Sequence, residues 1–295
     1  MTMPPRPPRT PRPPRSAGSH DVVRLHARSA TALGAASLVG LVAFSWPLFT
    51  DPGSALDTSH SADAPWLFVL LLPLLAAVIL AELTEGGIDA KAIALLGMLA
   101  AVGAALRALG PGTVGLEPSF VVILLGGRVF GRGFGFVLGA LVVFAGGLVT
   151  GGVGPWLPFQ MFGAAWTGFF AGSLPRCGGR TEVLMLAAYG LVSGVVYGML
   201  LNMWFWPFAA YGPEVSFVAG APLAENLHSY LLFWLTTSLG WDVPRGLLSA
   251  ALVAVAGRPI LAALRRTARR AAFDARPEFV PAPVGQDAGT GPGRV

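Results

Sequence analysis

The sequence predicts an all-α integral membrane protein of eight spans: a six-helix bundle preceded by two additional transmembrane helices, with both termini in the cytoplasm. Three observations carry this. Charged residues are 12% of the 295, about half the ~25% usual in soluble domains. The apolar residues gather in runs of about 17 to 22, the length that crosses roughly 30 Å of hydrocarbon. Lys and Arg collect on alternate connections, which sets the orientation of a multi-span chain.

Residues 1–28 open with MTMPPRPPRTPRPPR, a Pro/Arg repeat with no apolar face. Such a segment cannot bury a core and is expected to be an extended, disordered cytoplasmic tail suited to anionic lipid. The first run, Ala30–Phe49, is longer than the ~7–15-residue apolar region of a signal peptide and reads as a retained anchor. An acidic loop with Asp51, Asp57 and Asp63 follows, then a second span over Trp66–Leu83, so residues 29–89 form the two additional helices. The core of six is placed in residues 90–273. Its spans are Ala92–Leu109, a short Ser119–Phe130, Phe134–Thr150, Phe159–Leu174, Val183–Phe205 and Val243–Leu264. Residues 274–295 read as a second disordered tail.

With the N-terminus inside, Lys91, Arg128, Arg132, Arg176 and Arg180 all fall on the cytoplasmic side, and only Arg107 and Arg245 reach the outer face. The stretch from Asn226 to Leu264 could hold two spans. Two crossings would strand Arg265, Arg266, Arg269 and Arg270 outside. Leu227–Trp241 is therefore read as an outer-leaflet segment that dips in or lies against the bundle. Cys177, the single cysteine, allows no internal disulfide.

No catalytic set is present: no HExxH, no Cys/His metal spacing, no Walker A and no Gly-x-Ser-x-Gly. Arg132–Leu138, RGFGFVL, imitates the opening of an RNA-binding signature. The position that should be aromatic is Gly139 and the context is a membrane span, so nucleic acid is excluded as a partner. Small residues recur at near-helical spacing, as Gly97, Ala101 and Ala105 in one span and as Gly131, Gly135 and Gly139 leading into another. Such faces let helices approach closely in lipid. They fit either packing within the chain's own bundle or docking of a separate membrane subunit.

Polar and aromatic groups converge on the outer face: Glu117, Trp156, Gln160, Asn202, Trp204, Trp206, Trp241 and Asp242. Each tryptophan has an ordinary explanation as an interfacial belt residue, and Glu117 can pair with Arg107 across the turn. Gln160 and Asn202 need more, because an amide inside an apolar span requires partners. The loop LVTGGVGPWLPFQM, with Gly151, Gly152, Gly154, Pro155 and Pro158, reads as a lid or wall of an outward-facing pocket. The candidate ligand residues are Glu117, Gly154, Trp156, Gln160, Asn202, Trp206, Trp241 and Asp242. No metal ligands and no cofactor of the chain's own are expected.

GLEPSFVVILLGGRVFGRGFGFVLGAL, LVTGGVGPWLPFQMFGAAWTGFFAGSLP, AAYGLVSGVVYGMLLNMWFWPF and TSLGWDVPRGLL together resemble the substrate-specific S components of energy-coupling factor (ECF) transporters, an ABC-type importer family, and in particular its larger actinobacterial members. The resemblance covers roughly residues 90 to 273 and implies a six-helix vitamin- or micronutrient-binding subunit. It also implies a transmembrane coupling (T) subunit and two cytoplasmic ATPases as partners, which use the ATP. In that family an alanine-rich face on the first core helix docks the coupling subunit. Ala101–Ala105 and Ala90–Ala94 both fit, with Gly97 on the same span. Members similar to this chain tend toward cobalamin-type uptake. The alternatives are a secondary transporter or channel, and a membrane-embedded enzyme.

Overall fold

The computed structural model describes residues 27–49, 90–110, 115–209 and 211–271, and every regular element among them is helical. The expected second span, Trp66–Leu83, the acidic loop, the C-terminal tail and residues 1–26 of the N-terminal tail lie outside the described residues; Ala27 and Arg28, expected in that tail, open α1. Eight α-helices follow in order: α1 (Ala27–Ser45), α2 (Ala90–Arg107), α3 (Phe120–Phe130), α4 (Arg132–Thr150), α5 (Leu157–Ser173), α6 (Gly179–Phe205), α7 (Leu223–Phe233) and α8 (Leu239–Ala271). Short 3₁₀ turns extend α1 and α6, at Trp46–Phe49 and Trp206–Phe208.

Four of the described helical stretches are long and apolar enough to cross a bilayer: Ala90–Arg107, Arg132–Thr150, Gly179–Phe208 and Leu223–Arg270. The outward faces agree with that reading. Leu38, Leu41, Met98, Val149, Leu184, Val192 and Val255 are all exposed, and apolar surface this widespread belongs against lipid rather than water. Helix α3, at 11 residues, rises only about 16 Å and crosses half of a bilayer at most.

Two antiparallel pairs, α4 with α5 and α6 with α8, make up the bundle; α2 lies on α4, and α3 packs against α4, α5 and α8. Small residues decide both pairings. A Cβ built on Gly135 would land on the Gly168 carbonyl oxygen, one on Gly168 would land on that of Gly135, and one on Gly139 would land on that of Ala164. The Gly135 and Gly139 face therefore serves the chain's own α5. On α6, Gly190 faces Ser249, Gly194 faces Gly246 and Gly198 faces the Asp242 carboxylate. Where lipid supplies no hydrophobic drive between helices, such close approach is what holds them together.

Leu227–Trp241 does not dip in and turn back. It is helical from Leu223 and runs through a π-helical turn, Trp234–Ser238, into α8 without reversal. Helix α7 packs on the Pro213–Val215 turn, and side-chain contacts tie it to the end of α6. The Tyr230 hydroxyl donates to the Met199 carbonyl, and the Trp206 and Tyr230 rings lie 5.4 Å apart.

Gly168→Val is expected to force α4 and α5 apart, lowering stability by about 1–3 kcal/mol or more. Gly97→Val meets no neighbour within 4 Å and should leave stability unchanged. Melting of the two variants in detergent checks the contrast.

Candidate functional site

Polar groups gather at the two ends of the bundle. At one end Arg128 of α3 donates from Nε to Glu182 Oε1 at 2.7 Å, and its terminal nitrogens donate to the carbonyls of Leu174 and Pro175 at 2.9 and 3.0 Å. Arg265 of α8 reaches the same Glu182 oxygen at 2.6 Å. This cluster knots the short α3 to the α5–α6 connection and to α8. Lys91, Arg132, Arg176, Arg180, Arg266, Arg269 and Arg270 are exposed around it.

The opposite end holds a longer chain of charges. Arg107, the last residue of α2, pairs with Glu117 through one terminal nitrogen and donates from the other to Gln160 Oε1 at 2.7 Å. The second oxygen of Glu117 lies 3.3 Å from Arg245 Nε, and Arg245 NH1 donates to Asp242 Oδ1 at 2.7 Å. The other Asp242 oxygen accepts from Trp234 Nε1 at 2.9 Å. The Arg245 guanidinium also sits over the Tyr197 ring, 5.3 Å from its centroid. All four ionic side chains are no more than 17% exposed.

Beside this chain, between α6 and the α7–α8 helix, lies a cavity of about 340 Å³. Gly198, Leu201, Asn202 and Phe205 form the α6 wall. Phe233, Thr237, Ser238, Trp241, Asp242 and Arg245 form the other, and Tyr211 closes the rim. Its size lies at the lower end of small-molecule sites, and its lining is more polar than is usual for them. Local sequence explains the opening. Gly198 leaves room for the Asp242 carboxylate, and the π turn re-aims Thr237 and Ser238; insertions of this kind recur at functional sites.

The expected ligand residues divide. Asn202, Trp241 and Asp242 line the cavity. Glu117 and Gln160 stand behind it in the ion chain, Glu117 paired with Arg107 as its position across the turn suggested. Trp206 is fully buried between Phe217 and Tyr230, donating to the Val215 carbonyl at 2.7 Å. Gly154 and Trp156 are not in the cavity wall. Trp156 is half exposed, folds back over Gly154 and donates to the Gly152 carbonyl at 3.0 Å. That loop is a tight turn: Gly151, at φ 66°, caps α4 in the left-handed region, and Pro158 sits in the first turn of α5. Trp204 stacks on Phe159 with ring centroids 4.7 Å apart.

Sequence reasoning missed Arg107 and Arg245 as parts of the site. The available signal was that these two alone departed from the sidedness of the basic residues. Tyr211, Phe233, Thr237 and Ser238 carried no separable signal, since aromatic and hydroxyl residues are common in any helical membrane chain. On α2, the expected docking residues Ala90, Ala94, Gly97, Ala101 and Ala105 form one stripe that is exposed among the described residues.

The family profile described as ECF transporter, substrate-specific component, matches residues 91–257. The chain belongs to this family. The S component's matched region runs from α2 into α8, ending at residue 257, so it takes in the cavity and leaves α1 outside. No curated protein and no solved structure matches the chain. Membership makes it the substrate-binding subunit of a multi-pass membrane transporter rather than an enzyme, in a family that implies association with T and ATPase subunits.

Glu117→Gln in this S component is expected to leave two buried guanidiniums facing one carboxylate, at a cost of about 3–5 kcal/mol. Glu117→Gln combined with Arg107→Gln restores the balance and should melt above the single variant in detergent.

Proposed function

We propose that the chain captures an extracellular micronutrient of the vitamin type in the α6–α8 cavity and releases it inward when a T subunit and two ATPases engage it. The observation that carries this reading is the position of the cavity. It lies at the end of the bundle away from the exposed arginines, and basic residues stay with the cytosol. The same argument supports cytoplasmic N- and C-termini and eight passes, with the short α3 counted as one although it does not cross the full bilayer. Asn202, Trp241 and Asp242 are the ligand-contacting residues in this reading, and Glu117, Gln160 and Arg107 hold the wall behind them. ATP is consumed by the partner subunits and not by this chain.

The exposed small-residue stripe on α2 is the docking face for the T subunit. Gly97 meets nothing within 4 Å, and Ile93, Met98 and Val102 flank the stripe with exposed apolar surface. A corrinoid is the finer ligand that the resemblance suggests. It exceeds the cavity several times over and would have to enter by one edge, with most of its body outside.

Reconstitution into vesicles with the T and ATPase subunits tests the reading. Uptake should require ATP inside the partner-facing compartment and stop when the ATPases are left out; uptake driven by an ion gradient alone would identify a secondary carrier instead. Ala101→Trp should abolish co-purification with the T subunit while leaving ligand binding by the isolated chain unchanged.

A further inference from the structure

The ion chain limits the charge of what the cavity can hold. Arg107 and Arg245 face Glu117 and Asp242, two cations against two anions, and every one of the four is engaged by another member. Both Asp242 oxygens already accept, the first from Arg245 and the second from the Trp234 indole N–H. The Arg245 cation is held on three sides, by Glu117, by Asp242 and by the face of Tyr197. A ligand with a net charge would have to break one of these pairs or remain uncompensated beside aromatic walls. Either route unbalances a set of charges that is neutral as it stands, which is unfavourable in partly desolvated surroundings.

The other polar groups of the wall are neutral. Asn202 donates its amide N–H to the Gly198 carbonyl at 2.9 Å, and among the described residues its amide oxygen accepts no hydrogen bond. Thr237 and Ser238 share a hydroxyl contact at 3.0 Å, with Thr237 also bonded to the Phe233 carbonyl. Phe205, Tyr211 and Trp241, each close to half exposed, present ring surface around the opening.

We infer that the cavity takes an uncharged, ring-bearing small molecule whose hydrogen-bond donor edge meets the Asn202 amide oxygen. The inference rests on the capture reading above and narrows its substrate class.

Three probes of one shape and different charge test it: benzamide, benzoate and benzamidinium, observed by saturation-transfer NMR on the full chain in detergent. Benzamide should give a signal at least fivefold above either ion and lose it in Trp241→Ala. Asn202→Asp breaks no ion pair and adds one negative charge to the wall, so preference should move to benzamidinium. Equal or stronger signal from benzoate or benzamidinium with the unaltered chain overturns the inference, as does the absence of signal from all three. Neither result bears on ATP-dependent uptake, whose failure would instead remove the capture reading.

Discussion

Two arginines sit below the surface at one end of an apolar bundle, and the geometry of that end follows from the need to match them. A guanidinium in such surroundings is tolerable only if paired and hydrogen-bonded. Arg107 closes α2, Arg245 lies in α8, and Glu117 stands between them on the segment leading into α3. The three elements are thereby tied at one level, with Gln160 adding the start of α5 and Asp242 adding the Trp234 turn. The cavity wall is rigid because its charges are mutually committed.

Glycine supplies the complementary constraint. The α6–α8 pair is close enough for the Asp242 carboxylate to occupy the space over Gly198, which places a charge inside a helix–helix seam. Farther along the same seam, Gly194 against Gly246 and Gly190 against Ser249 keep the helices in register until Glu182 meets Arg265. Charge pairs at both ends and small residues between them fix the relative height of α6 and α8, and the cavity opens beside Gly198 and Asp242. The 11-residue α3 depends on the same arrangement. Too short to span, it is held through Arg128 at one end and packs against three neighbours.

Most of the helices were legible from the run lengths: the spans expected at Ala92–Leu109, Phe134–Thr150 and Phe159–Leu174 lie within two residues of α2, α4 and α5 at each end. That agreement has a simple cause, since apolar length is what a bilayer selects. Hydropathy left the Leu227–Trp241 segment open between dipping in and lying against the bundle, because it reports burial in apolar surroundings and not direction. The site was legible in part for a related reason. Asn202 and Asp242 stood out as polar residues beside apolar runs and do line the cavity. Gln160 stood out equally, yet its carbonyl oxygen is taken up by Arg107. Polarity marks a residue as needing a partner without saying whether the partner is a ligand or another side chain.

Helix α1 shows how a segment outside the matched region can still shape the site. In lipid its contacts must come from shape, and they do: Phe44 meets Phe159 edge-on at 5.1 Å, and a Cβ on Gly40 would crowd the Phe162 ring. One turn later Trp46 lies 5.8 Å from Phe208 and 6.4 Å from Phe217. Those two aromatics bracket the connection that carries Tyr211 to the cavity rim. Phe159 in turn stacks on Trp204, one residue before the cavity-lining Phe205. The additional helix therefore covers the flank of α5 and α6 and buttresses both ends of the rim connection from outside. Its opposite face, with Leu38 and Leu41 exposed, is left to the surrounding membrane.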